Sequence, residues 1–455
     1  MARPPAPYSG RAVTHTGTAL ADENNATGIA FWAALAMIFV RMSVLPEILS
    51  YITGVNTYVL YIIGPPALLG VLFTGGVARV YRSKAAWYWT GFFVCALVAI
   101  PFSSWVGGSA QLLSTYARTN FICLLTLAGT VVRWKEIRRT FFFMALAGLV
   151  VLVVIRLLAT PDAEGRLALD VQDSTIGNSN DLAAHVMLLM PFILYLGFKP
   201  GGKKLSRIFV SLGGLYSLWI ILGTSSRGAL IGLAVMAAFL FFKATGGQRI
   251  AVLAGIPIIA MLLLAILPEK NIARLKTLLS ASPSNDSSGI AAEAGESMES
   301  RSYLLKKSIE YTISHPILGV GPGQFATFEG SASRLAGQHG NWHETHNTYT
   351  EISSECGLPA LIFALAGIVS SFSIVNRTLK RARLLGNQEI AGACICYMTA
   401  WIGYLVTLLF LAGAYRFTLP TMISLGIAIG LAGASELNAA ETQTHSGTMA
   451  RPAAR

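Results

Sequence analysis

Apolar runs close to membrane length recur along most of the chain, at about 29–49, 56–77, 85–103, 110–132, 140–159, 181–198, 208–224, 228–243, 250–267, 358–375, 389–412 and 417–434. A helix needs about twenty apolar residues to cross the hydrocarbon layer, and only helices or closed barrels can satisfy their backbone there. The pattern therefore predicts an all-α polytopic membrane protein with about twelve transmembrane helices. Two of the runs, 208–224 and 228–243, are short and parted only by SSRG, so they also read as one re-entrant hairpin. The organisation expected is a disordered tail over 1–27, nine spans over 28–267, a polar loop over 268–357, three spans over 358–435 and a second disordered tail over 436–455.

Composition agrees. Of 455 residues 54% are hydrophobic and only 12% charged, about half the charge of a typical soluble domain. A net charge of +12 invites a nucleic-acid reading, but the basic residues cluster in short loops between apolar runs. Those clusters are Arg79/Arg82/Lys84, Arg133/Lys135/Arg138/Arg139, Lys199/Lys203/Lys204/Arg207, Lys243/Arg249 and Arg377/Lys380/Arg381/Arg383, in every second loop. That is how positive-inside topology is written, so no nucleic-acid partner is expected and the bilayer is. The clusters and both termini go to the cytoplasmic side, and 161–180 and 268–357 to the exterior. The first apolar run follows a polar Ala/Thr/Pro-rich tail without an A-x-A site, so no cleaved signal peptide is expected. Four cysteines lie in apolar runs and Cys356 stands alone, which predicts neither disulfide nor CxxC metal site.

The long polar loop concentrates the chemistry. Residues 280–300 are low-complexity and expected to be mobile. From Ser300, a candidate N-cap, the spacing predicts a helix with Leu305, Ile309 and Ile313 on its apolar face, presenting Arg301 and ended by Pro316. Beyond it come HPILGVGPGQF (315–325) and WHETHNTYTEISSECG (342–357).

His346 leads the candidates. An imidazole just ahead of a membrane run is placed to remove a proton near neutral pH, though a lone histidine more often only bonds within its loop. Here His339, His343, Glu344, His346 and Asn347 crowd together. His343 and His346 with a carboxylate also suggest metal, but H-E-T-H is one residue short of the zincin spacing. Arg227, in TSSRGALIGL, can fork two hydrogen bonds onto a phosphate or simply snorkel at a helix end. Arg41, Arg156 and Arg416 map to the same expected outer face, and with Arg227 and Arg301 they can form a basic pocket for a lipid diphosphate. Asn178 and Asn180 open the sixth span, where Asn180 or Asp181 is a candidate N-cap and Asn180 a second-choice sugar contact. GVGPG reads as a backbone turn: no strand precedes it, no lysine follows, and Pro322 lacks a donor. The sequence has no D-x-D motif for metal and nucleotide sugar and no Walker motif. A polyprenyl diphosphate is already a good leaving group, and arginines can replace a metal there.

These motifs together, SRGALIGL, the segment 301–325 and HNTYTEISSECGLPA (346–360), resemble the O-antigen ligase family, also called WaaL or Wzy_C. The family pattern of His, a small polar residue, nine residues and Gly is met by His346, Asn347 and Gly357. The resemblance implies a GT-C-like architecture and a metal-independent, inverting glycosyltransferase without cofactor, in the bacterial inner membrane with its site facing the periplasm. It would move a glycan from undecaprenyl diphosphate to lipid A-core. Carried over residue by residue, His346 is the base and Arg227 and Arg301 bind the diphosphate. Asn347, His343, Glu344, Asn180, Arg156, Arg41 and Arg416 remain as expected substrate contacts. Two departures are the Ser/Asp-rich insertion at 280–300 and GLPA where many members have a second glycine. An O-antigen polymerase or a protein O-oligosaccharyltransferase would use the same residues, and a lipid-linked glycan transporter would bind without breaking a bond. A lack of charged residues midway through most spans disfavours the transporter.

Overall fold

A computed structural model describes residues 16–162, 165–169, 171, 175–201, 203–244, 249, 261, 272, 289–337 and 342–449. The chain is almost wholly helical. α1 (Thr16–Met42) bends by 59° into α2 (Leu45–Thr53), and α3 (Val59–Phe73), α4 (Gly76–Val80) and α5 (Lys84–Ala99) follow. α6 (Val106–Thr115) and α7 (Ile122–Thr130) are joined by a π-helical turn, Tyr116–Phe121, and α8 (Trp134–Leu158) leads to a ribbon of β1 (Thr160–Pro161) and β2 (Leu167–Ala168). α9 (Ser179–Phe198), α10 (Lys204–Gly223) and α11 (Arg227–Lys243) precede the polar segment, which holds α12 (Gly289–Ser314) and α13 (Phe325–Leu335). α14 (Thr348–Leu384), α15 (Gln388–Thr407) and α16 (Thr418–Met449) complete the bundle.

Among the described residues, seven helices are long and apolar enough to cross a membrane, or eight if the bent α1–α2 pair is one span. The protein is a multi-pass membrane protein. The sequence pattern predicted about twelve spans, and the difference has local causes. α3 has 15 residues and α11 has 17, while the run 110–132 is interrupted by the π turn. The expected span 250–267 lies outside the described residues.

Large apolar residues such as Leu157, Leu205, Leu212 and Ile362 point outward. Between helices, by contrast, contact is made through small residues, as lipid supplies no hydrophobic drive for helices to associate. A Cβ at Gly70 would lie 2.2 Å from the Ala30 Cβ, and one at Gly430 2.3 Å from Ile374. α9, α15 and α16 are buried over most of their length and form the centre of the bundle.

Polar pairs tie the helix ends. Arg138 ion-pairs with Glu389, and the Arg383 guanidinium donates to the Lys243 carbonyl at 3.0 Å. Three of the basic clusters therefore gather at one end, and residues 301–337 and 342–357 lie against the other. α16 runs on to Met449, past the expected start of the tail, anchored by Arg381 on Glu441 at 2.6 Å. α1 likewise begins at Thr16, inside the segment expected as tail.

α12 corrects two expectations. It starts at Gly289 rather than at Ser300, because AAEAGESMES is rich in good helix formers. Its buried face carries Leu304, Ser308 and Tyr311, whereas Leu305, Ile309 and Ile313 are exposed. Glu329 on α13 decides between the two faces. Its buried carboxylate accepts from the hydroxyls of Tyr303 at 2.6 Å, Tyr311, and Ser333 at 2.9 Å. A carboxylate removed from water needs such donors, and α12 turns to supply them.

Candidate functional site

The polar segment is fixed to the bundle at a break in α14. Gly357 has φ +83°, and a Cβ there would lie 2.1 Å from the Ile317 carbonyl oxygen. The break frees the carbonyls of Ser354 and Glu355, which accept the N–H groups of Val320 at 2.8 Å and Gly321 at 3.0 Å. Pro316 closes the other side by accepting from Leu358 N–H at 2.8 Å. GVGPG is thus a docked turn, with Gly319, Gly321 and Gly323 all at positive φ. Its far side meets the link before α6: Ser104 N–H donates to the Val320 carbonyl, and Ser109 Oγ to that of Pro322.

Two glutamates on the first arm of α14 complete the clamp. Glu355 Oε2 accepts from Gly323 N–H at 2.7 Å and the Tyr415 hydroxyl at 2.8 Å, and its Oε1 from Phe325 N–H. Glu351 Oε2 accepts from Gly413 and Ala414 N–H at 2.8 and 3.0 Å. One helical turn thereby organises both the GVGPG turn and the 408–417 loop. Sequence reading passed over both residues. The signal was available: two glutamates at i and i+4 on a face where an apolar helix begins.

His346 stands immediately before this arm. Asn347 is its N-cap, its Oδ1 accepting from Tyr349 N–H at 3.0 Å and Thr350 N–H at 3.1 Å. Thr348 pins the start to the 408–417 loop through the Leu408 and Leu411 carbonyls. The chain reaches that cap through His346 at φ +50°, a left-handed conformation that costs a non-glycine residue about 1 kcal/mol or more. The half-buried His346 is thereby set by the backbone at the head of this arm. Burial first, then the nearby Arg301 guanidinium and His343, hold its pKa below the ordinary histidine value, against an opposing pull from Asp181.

The expected site residues divide. Arg301, midway along α12, which packs against α14, is brought to His346 closely enough for its charge to be felt. Asp181 acts on His346 and, with Arg416, on Glu344, whose carboxyl is pushed above the usual range by burial. Arg416 itself is ion-paired with the buried Asp181 at 2.7 Å. Asn178, not Asn180 or Asp181, is the N-cap of α9, accepting from the N–H groups of both. Arg227 opens α11 after the Ser226 cap, half-buried, and Gly228 beside it packs on Phe410 of the 408–417 loop. Arg227 and Arg301 each engage a neighbouring group.

Arg41 and Arg156 line two other cavities. Arg41 bonds Asn120 and stacks 4.4 Å over Phe417, lining a cavity of about 550 Å³ with Glu47 and Thr57. Arg156 is exposed at the end of α8, in a separate, mainly apolar cavity of about 520 Å³ with Tyr216 and Trp219. His343 is exposed. His339 lies outside the described residues. Among the described residues no group of three or more His, Cys, Asp or Glu stands close enough to hold a metal ion.

A third cavity, of about 480 Å³, opens between α6 and the clamp. Glu344, Thr345, Glu351, Glu355 and Tyr415 line one side, and Trp105 and Gln111 the other.

Residues 212–365, from within α10 to the second arm of α14, match the model of the Wzy_C family, described as O-antigen ligase. No curated protein matches the chain.

Proposed function

We propose, for a chain whose residues 212–365 belong to the O-antigen ligase family, the transfer of a glycan from undecaprenyl diphosphate to lipid A-core at the periplasmic face of a bacterial inner membrane. The observation that carries this reading is the placement of His346, held by a strained backbone beside Arg301.

In this reading His346 takes the proton of the acceptor hydroxyl as its oxygen attacks the anomeric carbon. The bond from that carbon to the diphosphate breaks, and undecaprenyl diphosphate leaves with the electron pair. Arg301 and Arg227 counter the charge that develops on the leaving group, and a single displacement inverts the anomeric centre. Positioned acid–base groups contribute about 10²–10⁴-fold, and aimed charges several kcal/mol. A depressed imidazole pKa suits the part, since burial and the nearby Arg301 cation both keep the base neutral. The step needs no metal and no cofactor.

Arg416 and Asn347 act by positioning, through Asp181 and the α14 cap, and Glu344 and His343 border the acceptor's approach. Arg41, Arg156 and Asn180 remain as contacts further along the donor. The test is purified protein in nanodiscs with lipid-linked glycan and polymer-free lipid A-core, with and without chelator. Glycan on lipid A-core, unaffected by chelator, is the expected product. Lengthening of the lipid-linked chain alone would make the protein a polymerase, and translocation without release of lipid diphosphate would make it a transporter.

A further inference from the structure

The cavity between α6 and the clamp has a lining of one chemical kind. Glu344, Glu351 and Glu355 face it, and the described lining carries no Lys, Arg or His. Gln324 adds a specific observation. It is 3% exposed, its Nε2 donates to the Pro322 carbonyl at 3.4 Å, and its Oε1 is buried without a partner. The Pro322 contact fixes the amide the right way round, because the flipped form would set two oxygens against each other. A buried acceptor left without a donor is destabilising, so a ligand able to donate gains there.

The lining therefore favours a ligand that donates hydrogen bonds. Trp105, 58% exposed at the cavity's edge, offers an apolar ring face, and a Cβ at Gly108 would collide with that ring at 2.5 Å. A sugar has both features required: hydroxyls around its rim and C–H groups on its faces. The volume of about 480 Å³ has room for one or two sugar rings. Glu344 and Thr345 join the cavity directly to His346 along the chain.

We propose that this cavity is a sugar subsite that holds the acceptor glycan, with Gln324 Oε1 and the glutamates accepting from its hydroxyls and Trp105 packing on a ring face. The assignment deepens the transfer reading above and rests on it for the identity of the acceptor. The diphosphate of the donor stays with Arg301 and Arg227.

The experiment measures equilibrium binding of polymer-free lipid A-core, and separately of lipid-linked glycan, to the full chain in nanodiscs. Gln324→Met keeps the volume and removes the acceptor, and Trp105→Ala removes the platform from an exposed position. Each is expected to weaken lipid A-core binding by about tenfold and leave donor binding within twofold. Wild-type-like lipid A-core affinity in both variants overturns the proposal, and so does weakening of the donor alone, which would make this a donor-sugar site. If the wild type binds lipid A-core and both variants lose it, yet no glycan is ever transferred, the subsite stands and the transfer reading falls.

Discussion

The guanidinium of Arg301 lies close enough to His346 to lower the affinity of its imidazole for a proton. They are 45 positions apart in the sequence, on α12 and on the link to α14. They come within electrostatic reach because the GVGPG turn docks into the broken helix and carries α12 with it. Site chemistry and chain path are therefore one question, and each part of the path can be tested separately.

The break in α14 is the first. Gly357→Ala would force a Cβ into the Ile317 carbonyl at a φ that L-residues avoid. A loss of at least 2–3 kcal/mol is expected from clash and strain together. It should appear as a lower melting temperature in detergent and as lost transfer. A Gly357→Ala protein as stable as wild type would mean that the break is not required.

The Arg416–Asp181 pair is the second. Asp181 is almost wholly buried, and removing its partner leaves a charge stranded, which typically costs about 3–5 kcal/mol. Arg416→Met should therefore destabilise strongly, while Arg416→Met with Asp181→Asn should recover most of the loss. If Arg416→Met leaves the melting temperature unchanged but abolishes donor binding, Arg416 is a substrate contact instead.

The Glu329 hub is the third. Tyr311→Phe and Tyr303→Phe each remove one hydrogen bond to a carboxylate, worth about 1.5–3 kcal/mol when buried. Hydrogen exchange of α13 should speed up in both variants, more in Tyr311→Phe because its hydroxyl is the better buried. Unchanged exchange in Tyr311→Phe would remove Glu329 as the reason for the facing of α12.

Arg227→Lys is the fourth. It preserves charge but loses the planar fork, so transfer should fall at least tenfold with the melting temperature unchanged. Near-normal turnover would leave Arg227 a snorkelling residue.

Much of this was legible in the chain. Apolar runs mark the helices because lipid permits little else, and Pro316 and Gly357 mark the ends of two of them. Three things were hidden. The facing of α12 was misread because two stripes compete, and the polar one wins only through Glu329, a residue 18 positions beyond Tyr311. Glu351 and Glu355 look like ordinary surface glutamates until the amides that they accept are seen to come from two distant loops. Which cavities Arg41 and Arg156 line depends on packing, on which helix-end position is silent. Helix lengths are likewise set only by the structure: α3 has 15 residues within a run of 22, from 56 to 77.

The most direct measurement is the pH dependence of kcat/KM for transfer, in wild type and in Arg301→Gln. His346 acts as a base only when neutral. A folded-state pKa below the ordinary histidine value therefore keeps activity up as pH falls, until the acid limb is reached below that value. Removing the Arg301 charge raises the pKa and should move the limb to higher pH, while the plateau drops as the diphosphate loses a partner. Histidine at 346 replaced by alanine should abolish the limb together with about 10²–10⁴-fold of the rate. An acid limb that stays in place in Arg301→Gln, or survives in His346→Ala, would contradict the account.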